Sequence, residues 1–314
     1  MSWKVFLQVV EIQTKLASLF PFIIGFLFSI AYFHQFNLFY TIVFFIGMFV
    51  FDMATTAINN YMDFKKAKSE VYKFQENIIG QSGVSPSLVR NMIFGMVFFT
   101  ALIGLFLTVQ TGWLFLVMGG ICCFIGIFYT FGPIPLSRMP LGEVFSGFTM
   151  GLGIFAMTIY LNVTENRPFF LAIDFSKGTF ALTGHLWSLV AIVLAALPLV
   201  FTIADIMLAN NLRDLDTDIE NHRYTLVYYI GRKQGIVLFQ LLMFACYFVI
   251  LLGLLFGVYR WPILIVFVSL PVIWKNLQMF KHELPAPKSF RHSIKNLLAF
   301  NSSYILGLLL MIIF

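Results

Sequence analysis

The chain has 314 residues, 60% of them hydrophobic and only 11% charged, with a formal net charge of +6. Soluble domains carry about 25% charged residues, so this composition excludes one. Nucleic-acid binding is excluded too, because the basic excess is sorted by membrane side: of 20 Lys and Arg, only Arg167, Lys177 and Arg260 fall on one of the two faces. That asymmetry is the positive-inside bias. Its local partners are anionic lipid or an anionic substrate.

In chain order, apolar runs predict nine membrane spans near 16–34, 38–58, 88–109, 112–131, 141–161, 187–208, 236–257, 261–277 and 297–314. A spanning helix needs roughly 20 apolar residues, and the runs lack the alternation of barrel strands. The expectation is an all-α polytopic membrane protein. One domain, 1–314, would set nine helices around a central cavity under cytoplasmic cap loops. The first run follows Lys4, Glu11 and Lys15 and reads as a span rather than a cleavable signal. The bias puts the N-terminus on the cytoplasmic side of the cell (plasma) membrane. Cys122, Cys123 and Cys246 all fall inside spans and form no disulfide or metal framework. Asn162-Val163-Thr164 matches a glycosylation acceptor, a short pattern with a high chance rate. Gly147 and Gly151 are spaced for close helix contact, within the chain or between two copies. No obligate protein partner is evident.

Polar chemistry concentrates at two helix ends on the basic face. After the second predicted span comes Asn59-Asn60-Tyr61-Met62-Asp63, followed by Lys65, Lys66 and Lys68. After the sixth comes Asn210-Asn211-Leu212-Arg213-Asp214-Leu215-Asp216-Thr217-Asp218. If that helix continues, Asn210, Asp214 and Asp218 stack at i, i+4 and i+8 with Asn211 beside them, while Asp216 points away. Five of the 14 acidic residues fall between Asp205 and Glu220. Stacked carboxylates repel one another unless a cation intervenes. Carboxylate and carboxamide oxygens suit Mg²⁺, which bridges to phosphate oxygens. A solvated, capped helix end is the plainer reading, and the scarcity of acids elsewhere argues against it. Asp63 alone makes half a metal site.

Two further signals are weaker. Tyr129-Thr130-Phe131-Gly132-Pro133-Ile134-Pro135 breaks a helix ahead of Arg138, which either neutralises a diphosphate or marks topology. Lys15 either pairs with Glu11 four residues earlier or, if buried, touches substrate. Asp52, deeper in the second predicted span, has no evident role.

These motifs resemble those of the UbiA-type intramembrane prenyltransferases, over essentially the whole chain. The family's first element resembles Asn59-Asn60-Tyr61-Met62-Asp63 and its second Asp214-Leu215-Asp216-Thr217-Asp218. Asn210-Asn211-Leu212-Arg213-Asp214, Thr225-Leu226, the Tyr129–Pro135 run and Gly142-Glu143-Val144-Phe145 are similar to the 1,4-dihydroxy-2-naphthoate branch. The chain departs from the family where Asn60 and Ala67 stand for acidic residues, with Glu70 nearby, and where His222-Arg223 replaces Gly-Lys. The resemblance implies Mg²⁺ held by Asn60, Asp63, Asp214 and Asp218, with Asp63, Asp214 and Asp218 catalytic. Asn59, Lys15, Lys68, Tyr129, Arg138, Asn210, Asn211, Arg213 and Arg223 would then hold a polyprenyl diphosphate and an aromatic acceptor. The implied reaction is prenylation of 1,4-dihydroxy-2-naphthoate with loss of its carboxylate, on the route to demethylmenaquinone. Other acceptors (4-hydroxybenzoate, haem, a chlorin, a glycerol phosphate lipid) stay open, as does, more remotely, a transporter. Asn60→Asp is expected to retain activity, because it restores the family residue.

Overall fold

The computed structural model describes residues 1–67, 70–129, 131, 135–220 and 222–314. Among these, eight helices are long and apolar enough to cross a membrane. A short α1 (Trp3–Val9) leads through a tight turn to α2 (Leu16–Phe33) and α3 (Leu38–Lys66). The short α4 (Ile78–Ser82) precedes α5 (Pro86–Thr111) and α6 (Trp113–Phe128). Next, α7 (Gly142–Ser146) and α8 (Ile154–Asn162) are joined by a wide π-turn segment, Gly147–Gly153, into one apolar span. The chain ends with α9 (Leu186–Glu220), α10 (Leu226–Leu255), α11 (Leu270–Glu283) and α12 (Phe290–Ile313). The predicted fourth span is α6, with 16 residues. At about 1.5 Å rise per residue it reaches some 24 Å, short of a hydrocarbon core about 30 Å thick.

The bundle is apolar outside as well as inside. On α5, Phe94, Phe98, Leu102, Leu105 and Val109 recur at helical spacing and are all exposed, a lipid-facing stripe. The main core gathers α2, α8, α9, α10 and α12 around Phe28, Phe155, Phe239, Phe300 and Tyr304. A smaller one, with Val10, Ala57, Ile58 and Ile79, ties α1 and α4 to α3 beside the first asparagine–aspartate cluster.

Gly147 and Gly151 serve a contact within the chain. A Cβ on Gly151 would lie 2.7 Å from the Val200 backbone nitrogen, and one on Gly147 2.8 Å from the Val200 carbonyl oxygen. The π-turn segment therefore lies directly on α9. Asn162 is buried, and its Oδ1 accepts from the Asn37 N–H (2.8 Å) and the Thr41 hydroxyl (2.9 Å). It is a helix-joining residue and offers no glycosylation site.

Two expectations change. The connection from 162 to 186 carries an antiparallel hairpin, β1 (Phe169–Asp174) paired with β2 (Thr179–Gly184), in register Phe169↔Gly184 to Asp174↔Thr179. Its turn closes on Asp174 Oδ1, which accepts from the Ser176 and Lys177 N–H groups, with Gly178 at positive φ. The helices also overrun their predicted ends: α3 continues past 58 to Lys66, α9 past 208 to Glu220, and α10 starts ten residues early, broken at Gly231 (φ 79°). Hydropathy marks where a chain leaves lipid, whereas backbone hydrogen bonding continues into water.

Candidate active site

The overrun gives both polar clusters a helical frame. On α3, Asn59 and Asp63 are one turn apart and Asn60 flanks them. On α9, Asn210, Asp214 and Asp218 share a stripe. Asp216 departs from it to pair with Arg232 on α10 at 3.0 Å, as the geometry of the stripe requires.

Two arginines connect the clusters. Arg138 and Arg223 lie within electrostatic reach of both Asp63 and Asp218. Arg223 is held by Asp218 twice: its N–H donates to the Asp218 carbonyl oxygen at 2.8 Å, and its guanidinium Nε stands 3.4 Å from Oδ1. Arg138 ends a short turn, Leu136–Arg138, whose carbonyl accepts from the Tyr224 N–H at 3.1 Å. The segment after α6 and the α9–α10 connection are thus latched together over the aspartates. Lys68, Thr130 and Gly132–Ile134 lie outside the described residues.

Arg213 turns back along α9. It donates to both oxygens of Asp214 (2.6 and 2.5 Å) and to Asn210 Oδ1 (2.5 Å), and its guanidinium lies 5.0 Å from the Phe290 ring centre. Asn211 faces inward and donates to Glu143 Oε1 on α7 at 2.8 Å. Both are buried, and Glu143 Oε2 has no partner among the described residues. Tyr129 donates weakly to the Gly142 carbonyl at 3.5 Å. The Glu143 carboxyl lies within electrostatic reach of the Tyr129 phenol.

Lys15 corrects an expectation. It is buried, but its ammonium donates to the Asp52 carboxylate (3.0 Å), the Asp52 carbonyl (3.1 Å) and the Thr56 hydroxyl (2.5 Å). Three donors are committed, so Lys15 neither pairs with Glu11 nor has a hydrogen left for substrate. Ser18 completes the Asp52 carboxylate from the other side. Glu11 instead accepts from Asn60 Nδ2 at 3.2 Å, and the same nitrogen donates to the Val9 carbonyl at 2.9 Å. A metal contact from Asn60 is therefore restricted to its carbonyl oxygen.

A divalent ion fits this donor set in a particular way. Asp218 Oδ2 is buried with no partner among the described residues, a carboxylate oxygen with a lone pair to give. Asp214 is already neutralised by Arg213. Among the described residues no three acidic, His or Cys side chains converge on one point. The carboxylates would each supply one or two ligands, the remainder coming from water and phosphate oxygens, which is how Mg²⁺ is commonly held.

The motif reading gave no role to three acids inside spans: Glu143 and Asp205, both buried, and the partly exposed Asp52. Asp205 is 1% exposed and has an unpartnered Oδ1. Each stands alone in an apolar run, and an ionisable residue inside a span is itself a functional or pairing signal. Asp52 could have been matched to Lys15 on that ground alone.

The architecture and these helix-end clusters define a multi-pass membrane protein with oxygen-donor and arginine groups gathered at one end of its bundle. Residues 18–299 match the UbiA prenyltransferase family, and the chain belongs to that family. It is a prenyltransferase. A 1,4-dihydroxy-2-naphthoate octaprenyltransferase of Bacillus subtilis (strain 168) is 24% identical over 281 residues, 88% of this chain and 83% of the relative. Two solved structures share the fold. A UbiA homologue from Aeropyrum pernix K1 has a TM-score of 0.66 at 15% identity, covering 93% of this chain and 97% of its own. A homologue from Archaeoglobus fulgidus bound to DMAPP and Mg²⁺ has a TM-score of 0.61 at 10% identity, covering 95% and 98%.

Proposed function

We propose that this protein transfers a polyprenyl group from polyprenyl diphosphate to 1,4-dihydroxy-2-naphthoate, in (demethyl)menaquinone biosynthesis. The reaction would run at the cytoplasmic face of the plasma membrane. The observation carrying the proposal is the pair of arginines, Arg138 and Arg223, shared between Asp63 on α3 and Asp218 on α9. Acidic and basic groups within electrostatic reach of one another suit a diphosphate accompanied by cations. The naphthoate acceptor rests on the Bacillus relative's activity and on the Asn210–Asp214 and Gly142–Phe145 motifs.

Mg²⁺, when bound, would stabilise negative charge on the departing diphosphate. Asp63, Asp214 and Asp218 would hold it, with the Asn60 carbonyl oxygen at the first cluster. Arg138 and Arg223 bind the diphosphate directly, and fixed cations aimed at a leaving group cost no reorganisation as charge develops. Arg213 keeps Asp214 and Asn210 aligned. Glu143, oriented by Asn211, turns its free oxygen toward the acceptor's hydroxyl, with Tyr129 beside it. The allylic C–O bond breaks, the ring carbon bonds to the prenyl group, and the acceptor's carboxylate leaves as CO₂.

The test is incubation of purified protein with Mg²⁺, a polyprenyl diphosphate and a panel of acceptors, followed by mass analysis. Prenylation of the naphthoate in preference to 4-hydroxybenzoate is the expected result. Exclusive use of another acceptor would remove the naphthoate assignment and leave the prenyl transfer standing.

A further inference from the structure

A groove of about 740 Å³ runs between α11 and α12 and is lined by residues of these two helices. Its walls follow from helical spacing: Val272, Lys275, Asn276 and Met279 form one stripe of α11, and Arg291, Lys295, Leu298 and Ser302 one of α12. Lys275 and Lys295 have no ion-pair partner among the described residues. Arg291 shares Glu283 with Lys288 and His292. Among the described residues no acidic side chain lines the groove.

Two buried polar side chains, Asn276 and His292, also line the groove. Asn276 is 7% exposed and His292 4%, and neither Asn276 Nδ2 nor His292 Nδ1 has a hydrogen-bond partner. His292 is fixed through its other nitrogen, 3.1 Å from Glu283 Oε2, so Nδ1 cannot turn away.

The depth is also specific. Lys275 lies eight residues before the end of α11, about 12 Å along the axis, and Lys295 five residues into α12, about 8 Å. Both cations therefore stand at similar heights, near the end of the bundle that also carries the aspartates. Above them Val272, Leu298 and Ala299 offer an apolar wall.

We propose that the α11–α12 groove is a binding site for an anionic phospholipid. Lys275, Arg291 and Lys295 would contact its phosphate, Asn276 and His292 its headgroup oxygens, and the apolar wall an acyl chain. Basic pockets between membrane helices select such headgroups. The missing carboxylates disfavour a metal-bound diphosphate here.

The test uses full-length protein in phosphatidylcholine nanodiscs with and without phosphatidylglycerol. Lipid retention is read by native mass spectrometry, and the melting temperature is read in parallel. The wild type should retain phosphatidylglycerol over phosphatidylcholine and melt higher in its presence. The triple variant K275A/R291A/K295A should lose that preference by about tenfold or more, while melting unchanged in pure phosphatidylcholine. Lys281→Ala, a cation off the groove, should behave as wild type. If the triple variant does not fold, Lys295→Gln and Asn276→Leu carry the test singly. No lipid preference in the wild type, or an undiminished one in folded variants, overturns the proposal. So does stabilisation by inorganic phosphate without phosphatidylglycerol retention, which would assign the groove to soluble phosphate.

Discussion

The Glu143 carboxylate accepts from the Asn211 amide at 2.8 Å, and this contact joins α7 to α9 at the inner edge of the aspartate stripe. One Glu143 oxygen is spent on positioning and the other is unpartnered. Glu143→Gln keeps the shape and removes the charge. It is expected to lower kcat/KM for the acceptor by about 10²-fold or more, within the range for a positioned acid–base group. The KM for the prenyl diphosphate should hardly change. Steady-state kinetics with each substrate varied in turn separate these effects; equal losses on both would place Glu143 outside the acceptor site.

Asp214→Ala and Asp218→Ala should each abolish Mg²⁺-dependent transfer while the protein still inserts and melts cooperatively. For Asp214 the change also frees Arg213 from its bidentate contact. Membrane fractionation and a thermal melt establish folding, and a Mg²⁺ titration of turnover gives the result. Wild-type turnover in either variant would defeat the proposed metal site.

Lys15 and Asp52 form an ion pair whose side chains are 5% and 15% exposed. Removing one partner leaves a charge unpaired within the bundle, at a cost of about 3–5 kcal/mol. Lys15→Met and Asp52→Leu should each melt much lower than wild type, and the double variant should recover most of the loss. A double variant no better than either single would mean that the pair is not what stabilises this end of α2.

Gly151→Leu tests the close approach of the π-turn segment to α9. Its Cβ would meet Val200 and Leu199 backbone atoms at 2.7–2.9 Å, and backbone cannot step aside as a flexible side chain can. Overpacking of this kind costs about 1–3 kcal/mol. Melting temperature reads it directly, and unchanged melting would show that the helices separate freely.

Much of this was legible in the residues. The apolar runs placed the spans because lipid demands length and hydropathy together. The i, i+4, i+8 spacing placed Asn210, Asp214 and Asp218 on one stripe and sent Asp216 the other way. What escaped was long-range pairing. Nothing local says that Asn211 meets Glu143, 68 positions away, or that Lys15 meets Asp52 rather than Glu11. Helix ends escaped for a different reason: hydropathy falls off at residue 58 or 208, but a helix persists as long as its backbone bonds do. The β1–β2 hairpin lay in the connection from 162 to 186, and the alternation of Thr179-Phe180-Ala181-Leu182 was the available signal.

Asn60 provides the sharpest contrast between motif and geometry. By motif, Asn60→Asp restores an acidic residue and should be tolerated. In the structure, Asn60 Nδ2 donates to Glu11 Oε1 and the Val9 carbonyl, and an aspartate would put two carboxylates about 3 Å apart with no donor between them. Like charges at that separation repel strongly unless one is protonated or a cation intervenes. Asn60→Asp is therefore expected to lower the melting temperature and raise the Mg²⁺ concentration needed for half-maximal turnover. Adding Glu11→Gln, which returns a donor to the contact, should reverse both. If Asn60→Asp alone behaves as wild type, the motif expectation stands and the Asn60–Glu11 contact has no bearing on the metal site.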